Sequence, residues 1–236
     1  MCGRFALYTP RGVIASRYFD KSRPVGDLVA LYNIAPGRQI TAIHAAEGDP
    51  ASFDLSWWGF RPHWAGPDAP APINARAETV ATSRYFREAF AHRRCLVPAN
   101  GWYEWRDGAN GKQPYFITLS DPDRDEVLFF AGIYDASTDP PGTCCAIITE
   151  PASPPLAGIH PRQPLVLDPE CRWAWLDPGI TDRAAIKHAA HRLDPSRLSA
   201  WPVSSLVNRA TVDDASLVEP MAPQDSGADR SMESGG

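Results

Sequence analysis

The chain has 236 residues, 44% of them hydrophobic and eight of them tryptophan, enough to bury a sizeable core. It contains no apolar run of about 18 residues and no basic leader followed by an apolar segment, so we expect neither a membrane-spanning helix nor a secretory signal, and a cytosolic protein. The net charge of −5 is unevenly placed: residues 211–236 carry six acidic side chains and one arginine, which leaves residues 1–210 formally neutral.

In chain order, residues 3–7 alternate as a short strand, and Thr9 and Pro10 read as an N-cap and first turn opening a helix through Tyr18. Residues 33–37 are a turn cluster, followed by strands at 39–45 and 53–60, the second carrying Trp57 and Trp58. A loop with four prolines spans 61–72 and delivers the segment 73–79, and a helix is expected over 83–91. Residues 94–105 read as two strands around a turn, with Trp102 and Glu104 on one face and Tyr103 and Trp105 on the other. Further strands are expected at 115–119, 127–134 and 143–149, where alternation makes Cys144 a core thiol and Cys145 a surface one. Five prolines hold residues 151–164 in an irregular frame that presents His160. Asp168 caps a short helix through Trp175, another helix covers 181–192, and residues 202–208 form a last strand. From residue 211 the composition predicts a disordered acidic tail. Short strands without βαβ alternation predict one α+β domain over 1–210, with a mainly antiparallel, barrel-like core and short flanking helices.

The candidate chemistry starts at Cys2. Removal of Met1 would make it the N-terminus and create a 1,2-aminothiol, with an α-amine of pKa about 8 beside a thiol of about 8.5. Such a unit captures an aldehyde without metal or cofactor: the amine condenses to an imine and the thiol closes on the imine carbon, giving a thiazolidine. The five cysteines include no C-x-x-C pair and no zinc-like spacing, and His188 and His191 lack a carboxylate or cysteine partner, so no metal and no cofactor are expected. An odd thiol count fits a reduced compartment. Glu104, a carboxylate flanked by aromatic residues, and His160, on its braced loop, are the candidate functional polar residues.

In order, these motifs are Met1 to Phe5, Trp58-Gly59 with Pro62 and Trp64, Asn74 to Thr79, Arg94 to Pro98, Gly101 to Trp105, Thr149 with Ala152, His160 to Arg162, and Pro202 to Ser204 with Val207-Asn208. Over residues 2–209 the chain resembles the SOS-response-associated peptidase family of abasic-site-processing proteins. The resemblance implies a protein that binds single-stranded DNA and links its N-terminal cysteine to the ring-opened aldehyde of an abasic site; we expect it to be monomeric and associated with the nucleoid or replication fork. It makes Cys2 the nucleophile, Glu104 the acid/base group, and Asn74 and His160 polar groups around the reacting carbon, with Arg4, Arg76 and Arg162 on backbone phosphates. Gln163 and Phe60-Arg61 depart from the family pattern and are expected on the pocket walls. Two other readings use the same residues. One is a thiol peptidase in which Cys2 attacks an amide. The other is a single-strand-binding module in which Trp57, Trp58 and the arginines bind and Cys2 does no chemistry.

Overall fold

The computed structural model describes residues 2–21, 26, 29–108, 111–123, 125–138 and 140–221. The first half contains β1 (Phe5–Leu7), α1 (Arg11–Phe19), β2 (Leu31–Ile34), β3 (Gln39–Ala46), β4 (Asp49–Trp58), β5 (Asn74–Arg76), α2 (Arg87–His92), β6 (Arg94–Ala99), β7 (Gly101–Gly108) and β8 (Gly111–Leu119). The second contains β9 (Leu128–Thr138), β10 (Pro141–Pro151), α3 (Pro154–Ala157), β11 (Arg162–Pro164), β12 (Val166–Leu167), α4 (Arg172–Leu176), α5 (Arg183–Ala189) and β13 (Leu198–Pro202), with 3-10 turns including Ser205–Asn208 and Ala215–Val218.

Strands β4, β3, β6, β9 and β10 pair in that order, and β10 returns to β4, closing a barrel; among the described residues the parallel pairings are those of β10 with β4 and β5. Closure removes sheet edges, so every strand of the barrel has a covered face. A second sheet, in the order β13, β8, β7, β1 and β2, wraps against it. The α+β barrel is therefore the expected architecture, and the alternation of β7 holds: Trp102 joins the main core and Tyr103 a smaller cluster with Ala6, Phe116, Val203 and Val207 on the opposite face. Gly101 is needed where β7 meets β8, because a Cβ there would collide with the Phe116 ring and the Ile117 carbonyl.

Several expectations are corrected. Cys145 is buried like Cys144, because β10 lies between β9 and β4 with one face turned into the barrel and the other covered by the loop at Arg61, whose N–H donates to Cys144 Sγ at 3.3 Å. Thr9 does not cap α1; Pro10 occupies the cap position, and the Thr9 hydroxyl accepts from Asn100 Nδ2 at 2.8 Å. The helices expected over 83–91 and 181–192 shorten to Arg87–His92 and Arg183–Ala189. The last strand is Leu198–Pro202, while residues 205–208 turn as a 3-10 segment because Ser204 accepts from the Leu206 N–H.

The domain also runs past residue 210. Leu217 is fully buried in the smaller cluster, Asp213 accepts from the Tyr32 N–H at 2.6 Å, and Trp201 Nε1 donates to the Val218 carbonyl at 2.9 Å. The rest of the expected tail, residues 222–236, lies outside the described residues. Asn33 ties this C-terminal strap to the N-terminal strand. Its fully buried amide donates to the carbonyls of Val207, Arg209 and Val212 at 3.3, 3.0 and 2.7 Å and accepts from Arg4 Nη1 at 2.7 Å. Asn33→Ala leaves three carbonyls and a guanidinium short of partners, and is expected to destabilise the protein by roughly 3 kcal/mol. The urea midpoint measures it, and a loss under about 1 kcal/mol would contradict this role.

Candidate active site

The N-terminal residues are placed by β1. Phe5 stands opposite Trp102, and the Tyr103 N–H donates to the Arg4 carbonyl at 2.9 Å, a register that carries the start of the chain alongside Glu104. Cys2 is fully buried and belongs to the main core. Its carbonyl accepts from Asn74 Nδ2 at 2.9 Å. Asn74 opens β5, which lies against β10 with Asn74 opposite Ile147. The residue before it is held from two sides, since the Ile73 carbonyl accepts from Ile147 N–H and from Trp58 Nε1, both at 3.0 Å.

Glu104 and His160 meet across the site, with Glu104 Oε2 3.7 Å from His160 Nδ1. Glu104 is only 3% exposed, and burial pushes its carboxyl up to about 7. Tyr103 and Trp105 take no part in that, because they lie on the opposite face; the desolvation comes from the barrel side shared with Trp102. Burial also raises the Cys2 thiol well above its ordinary value, and the Glu104 charge adds to it. The resting thiol is therefore protonated, and a neighbouring base is required to use it. His160 is pushed below its ordinary value chiefly by burial. Its ring is oriented by backbone, with Nδ1 2.9 Å from the Arg162 carbonyl and 3.1 Å from the Arg162 N–H. The loop that carries it is braced by Gln163, whose buried Oε1 accepts from Ser153 N–H at 2.8 Å and Ser153 Oγ at 3.0 Å. Gln163 is thus a brace rather than a pocket wall. Phe60 is core, fully buried against Phe86.

The residues named for nucleic acid divide. Arg4 bonds to neutral acceptors, Asn33 Oδ1 at 2.7 Å and the Val207 carbonyl at 2.6 Å, which leaves its charge unopposed by those contacts. Arg76 is exposed at the end of β5. Arg162 is held by Thr149 and Glu78. Trp58 cannot stack on a base, being fully buried, and serves the backbone before Asn74 instead. Trp57 is half-buried and lines a depression of about 420 Å³ with Gly37, Gly59 and Arg61. Trp64 is an aromatic surface to which the motif pattern assigns no role: it is 49% exposed, edge-on to Tyr85. Its place in a proline-rich loop was the available signal. Among the described residues no group of three or more His, Cys, Asp or Glu side chains could hold a metal, and no helix is long and apolar enough to cross a membrane.

The barrel thus buries the Cys2 thiol beside a glutamate whose carboxyl burial pushes up to about 7, with the Asn74 amide on the Cys2 carbonyl, a grouping of side chains suited to nucleophilic and acid/base chemistry. The model of the SOS response associated peptidase (SRAP) family matches residues 1–210, and the chain belongs to that family. It is 34% identical over 230 residues to the abasic site processing protein YedK of Escherichia coli, covering 94% of this chain and all of that one. It is 30% identical over 262 residues to the mouse abasic site processing protein HMCES, covering 89% of this chain and 73% of that one. A solved phage-related protein from Bordetella bronchiseptica superposes with a TM-score of 0.70 at 29% identity, covering 86% of this chain and 95% of that one. A protein from Bacteroides thetaiotaomicron shares the fold at a TM-score of 0.79 and 24% identity, covering 94% and 100%.

Proposed function

We propose that the protein, as a cytosolic, nucleoid-associated monomer, recognises an abasic site in single-stranded DNA and links it covalently to Cys2 after Met1 is removed. The observation that carries this reading is the placement of Cys2 and Glu104. A protonated thiol sits beside a carboxyl of pKa about 7, which exchanges protons with both an amine and a leaving oxygen at neutral pH. An abasic sugar is mostly a closed hemiacetal. Glu104 moves a proton between its oxygens to open it, and Asn74 and His160 hold the freed oxygen atoms. The Cys2 amine then adds to the aldehyde carbon and Glu104 protonates the departing hydroxyl, so that one water leaves and an imine forms. The thiol adds to that carbon, its proton passing to nitrogen, and the ring closes with no redox change. Arg4, Arg76 and Arg162 supply cations for the flanking phosphates. A missing base removes the stacking that would oppose extrusion, so a pocket of this kind selects the lesion at little cost.

The test is a labelled oligonucleotide with one abasic site, incubated with the protein and run on a denaturing gel after heating. We expect a retarded, heat-stable band that is absent with the intact strand and with a tetrahydrofuran analogue lacking the aldehyde. The peptidase reading predicts cleaved peptide and no such band. The binding-module reading predicts retardation on native gels alone.

A further inference from the structure

Glu78 stands in the 74–79 motif, yet the chemistry above does not use it. Its carboxylate takes the Arg162 fork with both oxygens, Oε1 on Nη1 and Oε2 3.1 Å from Nη2. The two partners are held very differently. Arg162 is only 17% exposed at its side chain, and its Nη2 also donates to the carbonyl and Oγ1 of the fully buried Thr149, at 2.6 and 3.2 Å. Glu78, by contrast, is 47% exposed, and apart from Arg162 its carboxylate is supported only by its own backbone among the described residues. The second arginine lies close by, because β10 carries β5 on one edge, with Arg76 opposite Thr149, and β11 on the other, with Arg162 opposite Pro151. The Arg162 hydrogen bond, with a further contribution from the Arg76 charge, holds the Glu78 carboxyl below its ordinary value.

Resting on the single-stranded DNA reading, we propose that Glu78 is an exchangeable counter-ion: it fills the Arg162 fork in the free protein and is displaced by a backbone phosphate when DNA binds. A guanidinium that has lost most of its hydration needs an anion, and leaving it unpaired would destabilise the empty protein. An exposed carboxylate on a flexible stem returns to water easily, since such pairs contribute little. Phosphate offers the same fork geometry as carboxylate. The reverse arrangement occurs at Glu150 and Arg192, where the carboxylate is 10% exposed and the arginine 56%, so that pair holds its anion and releases its cation. At Glu78 it is the anion that leaves. Glu78 thereby sets the affinity and salt response of binding: each phosphate gained by Arg162 is accompanied by a carboxylate that must gather its own cation from solution.

The test is fluorescence anisotropy with a labelled oligothymidylate, which has no aldehyde, over a series of salt concentrations. Glu78→Gln is expected to bind about 5-fold tighter than wild type at low salt, the effect of removing one charge beside two arginines. Its log–log salt slope should steepen by up to about 0.7, because no carboxylate is released. Glu78→Asp, too short to fill the fork with both oxygens, should fall between them in affinity, and supplies the comparison should the glutamine variant fold poorly. A purely structural Glu78 would give the opposite, variants that bind equally or more weakly on an unchanged slope, and would overturn the proposal. No saturable binding by the wild type would remove the DNA reading and this inference with it.

Discussion

Placing an uncleavable extension before Cys2, or replacing Cys2 with alanine, is expected to abolish the heat-stable DNA adduct while leaving native binding of single-stranded DNA in place. The two variants fail for different reasons. The extension keeps the thiol but converts the α-amine to an amide, which cannot form an imine; alanine keeps the amine but removes the thiol that closes the ring. Cys2→Ala should therefore still give a species trapped by borohydride, since an imine is reducible, whereas the extended protein should give none. Cys2 is fully buried with its carbonyl held by Asn74, so an added peptide also has to displace core packing. A melting curve separates that effect from the chemistry. An extended protein that crosslinks at the wild-type rate would remove the amine from the mechanism.

Glu104→Gln is expected to make the enzyme slower and the protein more stable. Glutamine matches glutamate in size and hydrogen bonding but transfers no proton, so adduct formation should slow by about 10²-fold or more. In the wild type the rate should rise with pH as the amine loses its proton near pH 8 and decline as Glu104 loses its own near 7, giving a maximum between the two. The variant should lose the alkaline decline. The stability argument has a definite sign. A carboxyl raised to about 7 from an ordinary 4.5 binds its proton more tightly in the folded state. The associated stability is fully present below pH 4.5 and lost as pH rises through 7. At pH 8 the buried carboxylate thus destabilises wild type by up to about 3 kcal/mol. Glu104→Gln should raise the melting temperature at pH 8 and leave it nearly unchanged at pH 4. Equal shifts at both values would show that the effect is packing and not ionisation.

How much of this was legible in the sequence depended on whether a residue's partners were local. The period-two pattern of β7 was enough to put Glu104 with Trp102 and apart from Tyr103, and the α+β barrel followed from many short strands without βαβ repeats. Alternation failed for Cys145 because it assumes one solvated face, and β10 has none: the barrel interior takes one side and the 61–72 loop the other. Trp58 failed as a stacking residue for a related reason. Its indole N–H is used 15 residues away on the Ile73 carbonyl, a contact that only the β4–β10–β5 arrangement creates. The strap at 211–221 reads as a polar tail in composition, yet Leu217 and Val218 are enough to dock it on Tyr103 and Trp201 once that surface exists. Arg162 was recognisable as a cation, but its fixed setting on Thr149 and its partner 84 residues away were not.

The central claim, that the reacting unit is the aminothiol of Cys2 on an aldehyde carbon, is tested most directly by intact mass measurement of the protein–oligonucleotide adduct followed by peptide mapping. The account predicts a protein lacking Met1, a complex whose mass is the sum of the two partners less one water, and a modified N-terminal peptide beginning at Cys2. An adduct on any other residue, one retaining Met1, or one with no water lost would contradict it.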